Sequence, residues 1–441
     1  MVRTIALALL ALTMNSLFAA EFDVEKQSNW HQWRGPDATG FSPTANPPTK
    51  WDANTNITWK AALPGKGSAT PIVWGNRVYV LTAIKTDRMA KPEELPQPDP
   101  RFKILTEPPK HFYRFIVLCF DRTTGKQLWA RVAAERVPHE GIHPTHSYAA
   151  GSPTTDGQFL YVSFGSFGNY CYDFDGNLKW SRDLKRINSR FGWGEAVTPV
   201  VHKGNLLLNY DQEADSTLFC LDAATGKTKW SVDRAEKTTW NTPLVVEHGG
   251  LTQVVMNGTT IQSYDMATGK PVWSMEGMTA NPIPSPVRVG DSVVCMSGYR
   301  GAAAVSIPLG SRGTFPKDAK IDWRFATGTP YVPSPVLVNN RLYFTQANDA
   351  LLTVLDAKTG KALIEKERLP QAKNFYASPI AAAGRVYFVD RTGNAVVLKA
   401  GDSIEVLAAN RLDDAIDASP VTVGKQLFLR GEKFLYCIAE K

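Results

Sequence analysis

A chain of 441 residues exceeds the usual size of one domain, so it forms two or three unless repeats let a single body keep growing. Its 43% hydrophobic and 21% charged residues exclude a disordered or low-complexity chain. The net charge of +7 is spread along the sequence without a basic-aromatic segment, which argues against a nucleic-acid partner.

Residues 1–20 read as a secretory signal peptide. Met1-Val2-Arg3 precedes an apolar run from Ile5 to Leu12, and Ala19-Ala20 offer the small residues of a cleavage site. A periplasmic or secreted protein is therefore expected. Later apolar runs are too short to span a bilayer, and the first cysteine is Cys119, so neither a transmembrane anchor nor a lipid anchor is expected. Residues 21–56, with Trp30, Trp33 and Trp51, read as a tryptophan-rich strap packed across the body that follows. Ile57-Thr58-Trp59-Lys60 then reads as a lone strand.

Two signatures recur beyond it. A small hydroxyl residue and proline open an apolar strand at Thr70-Pro71, Ser152-Pro153, Thr198-Pro199, Thr242-Pro243, Ser285-Pro286, Ser334-Pro335, Ser378-Pro379 and Ser419-Pro420. From Pro153 onward the prolines are 46, 44, 43, 49, 44 and 41 residues apart, the period of a four-stranded propeller blade. The first gap of 82 residues implies an insertion at about 85–113 in blade one. The second signature is an Asp-x-x-Thr-Gly-Lys turn closed by tryptophan. It runs from Asp121 to Trp129, Asp222 to Trp230 and Asp265 to Trp273, with variants from Asp173 to Trp180 and Asp356 to Ile364. The aspartate accepts backbone N–H bonds across the turn, the glycine takes a positive φ, and the indole fills the gap between blades. These observations predict an all-β protein: residues 57–441 form an eight-bladed β-propeller of four-stranded antiparallel blades. Pairing of Ile57–Lys60 with the last strands, ending at Phe434–Cys437, closes the ring. Cys119, Cys171 and Cys220 share one small-residue slot in different blades, too far apart to bridge, and read as buried thiols.

The form Ala-x-Asp-x-x-Thr-Gly-Lys-x-x-Trp resembles the docking motif of quinoprotein alcohol dehydrogenase-like propellers, a resemblance covering roughly residues 57–441. It embraces dehydrogenases that use pyrroloquinoline quinone (PQQ) and also a non-enzymatic propeller lipoprotein of outer-membrane assembly. The stretch Trp30-His31-Gln32-Trp33-Arg34-Gly35-Pro36, with Gly40, resembles the N-terminal hallmark of secreted bacterial PQQ-like repeat proteins. The sequence departs from the dehydrogenases in having no adjacent cysteine pair and no Cys-x-x-Cys-His haem motif. It departs from the lipoprotein in having no cysteine at the cleavage site.

In such a ring the Thr-Gly-Lys hairpins occupy one face, so the loops entering each Ser/Thr-Pro strand line a funnel mouth on the other. That places His146, Tyr148, Trp193, Glu195, Trp240, Asn281, Tyr331, Tyr376 and Asp417 around the mouth, with Asp211, Arg300 and Arg391 added from neighbouring loops. A PQQ and Ca²⁺ site would draw its indole floor, cations and oxygen donors from this set, with Glu195 or Asp417 as the catalytic base. His139, His143 and His146 lie close in sequence and are the candidate metal ligands. The expectation is a monomeric binding or scaffold propeller that engages an envelope protein, a small molecule or a carbohydrate. The alternative is a PQQ- and calcium-dependent oxidoreductase.

Overall fold

The computed structural model describes residues 21–97 and 99–440; the signal-peptide reading of 1–20 lies outside them. Eight antiparallel sheets follow one another around a ring. Blade one comprises Ile72–Trp74, Arg77–Met89, His111–Asp121 and Gln127–Arg136, and the next six follow in chain order. Blade eight is composite. Val421–Val423, Gln426–Arg430 and Phe434–Ile438 are completed by Ile57–Ala62, with Trp59 opposite Cys437 and Lys60 opposite Tyr436. The inner strands are buried on both faces because each blade is covered by two neighbours, and so they read as continuous apolar runs such as Val78–Ala83. Tyr79, Leu81, Phe115 and Val117 of blade one accordingly pack with Leu160, Val162, Phe164 and Phe167 of blade two.

Indoles wedge one blade against the next. Trp129, Trp180 and Trp230 donate Nε1–H to the carbonyl oxygens of Phe174, Ala223 and Met266 at 2.9–3.0 Å, each just after the turn aspartate of the following blade. Trp59 does the same to Arg122, and Trp323 to Ala357. The turn glycine lies under the ring: a methyl group added at Gly125, Gly176, Gly226, Gly269 or Gly360 would fall 2.5–2.9 Å from an indole carbon. Glycine is thus required twice, for its positive φ and for this approach. Burial of about 200 Å² per indole contributes about 5 kcal/mol gross, against about 1 kcal/mol for its hydrogen bond, so packing supplies most of the hold between blades. Trp273 differs because blade five lacks such a turn. It donates to Gln253 Oε1 at 2.9 Å, and Gln253 Nε2 in turn donates to the Leu309 carbonyl of blade five.

The Ser/Thr-Pro motif acquires a second physical reason. For seven of the eight hydroxyl residues, all but Thr198, the backbone N–H donates to the hydroxyl of the counterpart in the next blade: Thr70 to Ser152, Ser152 to Thr198, Thr242 to Ser285, Ser285 to Ser334, Ser334 to Ser378, Ser378 to Ser419, and Ser419 back to Thr70. Seven bonds of 2.9–3.0 Å therefore encircle the axis.

The strap crosses the opposite end of the channel. Trp30 exchanges two backbone bonds with Val73, Phe41–Ser42 pairs in parallel with Ala381–Ala382, and Asn46 N–H reaches the Gly424 carbonyl. Arg34 is buried, its guanidinium donating to the carbonyls of Pro335 and Pro379 of blades six and seven. Burial pushes its pKa down to about 9, so it remains charged at neutrality.

Three details differ from the repeat pattern. Within the insertion expected at about 85–113, two blade-one strands are prolonged, one running to Met89 and the next starting at His111. Blade four gains a fifth strand, Gly313–Phe315, from the insertion of blade five, and blade seven gains Phe41–Ser42. All five cysteines are buried and unbridged.

The indole contact can be isolated from backbone strain, because Gly204 and Gly226 both have positive φ but only Gly226 lies beneath an indole. Gly226→Ala is expected to lower the melting temperature by several degrees more than Gly204→Ala. His31, enclosed by Phe22 and Trp74, is held down to about 3 by burial foremost and then by the Lys26 charge. The unfolded chain then binds a proton below about pH 6.5 that the folded chain refuses, so stability falls as pH falls from there toward 3. Denaturation midpoints at pH 4, 5 and 6 should show a shallower loss in His31→Gln, by up to about 1.4 kcal/mol per pH unit.

Candidate functional site

At the Ser/Thr-Pro end the channel opens into a cavity of about 340 Å³. Its wall carries the hydroxyls of Thr70, Ser152, Thr198, Thr242, Ser378 and Ser419, and Trp33 reaches it from the strap. Trp193, Trp240, Tyr299, Tyr331 and Tyr376 line the upper part together with His143, His146 and Asp417. Trp193 and Trp240 are half-buried and stacked at 6.5 Å, and Trp240 Nε1–H donates to the Gly194 carbonyl at 2.9 Å. Tyr299 and Tyr331 stack at 4.9 Å.

Two loops bridge the mouth. Thr145, in the loop entering blade two, lies 3.1 Å from the Tyr376 hydroxyl of blade seven, and its hydroxyl is 2.7 Å from His143 Nδ1. Arg190, ahead of blade three, donates to Asn281 Oδ1 ahead of blade five at 2.9 Å. Arg391 stacks over Tyr376 at 4.1 Å and forms an ion pair with Asp417 at 2.6 Å. This pairing holds the Arg391 pKa above its ordinary value. The mouth is consequently aromatic and polar, and its acid Asp417 is paired with Arg391.

The residues expected at the mouth divide into two groups. His146, Trp193, Trp240, Tyr331, Tyr376 and Asp417 line the cavity. Arg391 reaches it through its bonds to Asp417, whereas Arg300 is exposed above Tyr299. Asp211 is fully buried in an ion pair with Arg234 at 2.8 Å and accepts the Thr239 hydroxyl, a link inside blade three. Asn281 is buried on Arg190. Tyr148 donates to the Glu140 carbonyl and, with Glu195, faces a smaller hollow beside the funnel.

Among the described residues the three histidines form no common ligand group: His143 and His146 line the funnel, while His139 meets Glu140 and Glu195. Glu140, which no sequence pattern marks, accepts bonds from the backbone and hydroxyl of Ser189. Burial foremost pushes the Glu140 carboxyl up to about 7 and Glu195 up to about 8, the latter also raised by the Glu140 charge.

PQQ carries three carboxylates and, with calcium, needs cations and several oxygen donors around one plane. Among the described residues no lysine or arginine lines the cavity, its one acid is neutralised by Arg391, and Asp211, Asn281 and Glu195 point their donors elsewhere. This donor set does not fit PQQ with calcium.

No curated protein matches the chain. Among solved structures it resembles BamB from Moraxella catarrhalis (TM-score 0.52, 14% identity, covering 81% of this chain and 100% of that one). It also resembles the quinohemoprotein alcohol dehydrogenase of Comamonas testosteroni (TM-score 0.62, 11% identity, 96% and 84% covered). The computationally designed Ika8 protein is a third likeness (TM-score 0.52, 10% identity, 77% and 98% covered). At these identities the likeness is one of fold, an assembly factor and a dehydrogenase sharing the same ring. The family model described as outer membrane protein assembly factor BamB matches residues 114–315 and 314–440, beginning beyond the Trp33-Arg34-Gly35-Pro36 segment. Two matches that together run from the third strand of blade one into blade eight show that the chain belongs to this family of PQQ-like propeller repeats.

Proposed function

We propose that this chain is an exported binding propeller whose funnel cavity holds a small, uncharged, ring-bearing ligand of carbohydrate type. The observation that carries the reading is the cavity of about 340 Å³ in which five aromatic rings stand above a circle of hydroxyls. Aromatic faces stack on the apolar side of a sugar ring, and hydroxyls exchange hydrogen bonds with its edge. Because Asp417 is held by Arg391, a neutral ligand enters without leaving either charge unpaired. Among the described residues no helix is long and apolar enough to cross a membrane. The family described as an outer membrane assembly factor supports placing the chain in the cell envelope, with an envelope protein as its macromolecular partner.

A glycan array probed with purified protein tests the reading, followed by titration of any hit against the intrinsic tryptophan fluorescence. Saturable binding of a glycan class is expected, with Trp240→Ala weakening it at least about tenfold, as loss of one stacked face worth over 1 kcal/mol implies. No bound glycan, or unchanged affinity in Trp240→Ala, would sink it. Turnover of an alcohol or sugar with PQQ, Ca²⁺ and an electron-accepting dye would replace it with the oxidoreductase reading.

A further inference from the structure

Beside the funnel, three metal-ligating side chains converge from two loops. His139 and Glu140 stand in the loop entering blade two and Glu195 in the loop entering blade three; one ligand atom from each lies within 4.8 Å of the others. All three are deeply buried: His139 is 5% and Glu140 3% exposed, and the Glu195 side chain 9%. Most of their oxygens are occupied. Glu140 accepts from Ser189, and Glu195 Oε2 accepts the Ser166 N–H at 2.7 Å. Glu195 Oε1 has no hydrogen-bond partner and faces His139 Nε2 at 3.7 Å. Among the described residues neither carboxylate has a lysine or arginine within ion-pair distance; His139 is the basic group in contact, and the Arg186 charge acts on both acids from further off. A hollow of about 10 Å³, the room of one water or one ion, is bordered by Glu140, Glu195 and Tyr148.

Two buried carboxylates without a cation are costly when ionised, so a pair this close either keeps protons or holds a positive centre between its members. One imidazole nitrogen with two carboxylates is a donor set for a small first-row divalent ion. Calcium instead asks for six or more oxygens. In the ion-free site the Ile187 carbonyl accepts from His139 Nε2–H at 2.7 Å, so coordination through Nε2 exchanges this bond for the metal. We infer that His139, Glu140 and Glu195 form a binding site for a Zn²⁺-class divalent cation, which ties the loop entering blade two to the loop entering blade three. Those loops carry His143, His146 and Trp193 of the funnel, so the ion sets the mouth's geometry without touching its ligand. Residues of the blade-one insertion shield this region: Leu105 N–H donates to the Phe191 carbonyl, and Thr106 to the Gly192 carbonyl.

The test uses the full-length protein, stripped with a chelator and titrated with Zn²⁺ and Mn²⁺ by calorimetry. One equivalent should bind and raise the melting temperature. His139→Asn and Glu195→Gln should each weaken binding at least about tenfold, whereas His143→Asn, in the funnel, should leave it unchanged. Absence of saturable binding, or equal affinity in the wild type and both ligand variants, overturns the site. If the variants fail to fold, X-ray absorption of the Zn²⁺-loaded wild type decides. A first shell of one imidazole with oxygens at about 2.0 Å supports the site, and a shell without imidazole overturns it.

Discussion

An indole pressed onto a glycine turn, repeated from blade to blade, is the contact on which the rest of this molecule depends. No single blade could stand alone: its strands are as short as Thr154–Thr155 or Val200–His202, and both of its faces are apolar. Each sheet is stable only between two others, so the blades must be held at a fixed spacing and tilt. The indole supplies that spacer. The glycine allows it to come close enough that the neighbouring aspartate turn, already tied by its own side chain, becomes the next blade's socket.

A second set of constraints acts nearer the axis. The encircling bonds of the Ser/Thr-Pro residues define a narrow polar waist, and the strap closes one side of it with Trp33 and the Arg34 guanidinium. The chemistry of the cavity is divided by origin. Repeated residues make the hydroxyl wall, whereas non-repeated loops bring the indoles, phenols and the Arg391–Asp417 pair. A repeated scaffold thus carries a mouth built from loops that do not repeat.

What could be read from the sequence follows the same division. The blades are legible because Ser/Thr-Pro and Asp-x-x-Thr-Gly-Lys each encode local backbone chemistry and recur at a fixed period. Trp323 is not, because the residues from Leu309 to Ile321 separate it from any recognisable turn. The role of Arg34 is hidden since its acceptors are backbone carbonyls 301 and 345 residues away, which leave no mark on residue type. Asp211 reads as a mouth residue from its position after a strand, but its partner Arg234 ends the outermost strand of the same blade and holds the carboxylate in the interior. Glu140 carries no signal beside His139 because Glu195 and Ser189, which give it meaning, arrive from another blade.

The pairing of Ile57–Ala62 with Phe434–Ile438 also orders events in time. A ribosome releases the first of these strands long before the second, and for that interval it is an open edge without a mate. Blades one to seven can gather as they emerge, but the circle locks only when the last stretch has been made. Until then the nascent chain resembles a split washer, a form that chaperones are suited to shield and proteases to attack.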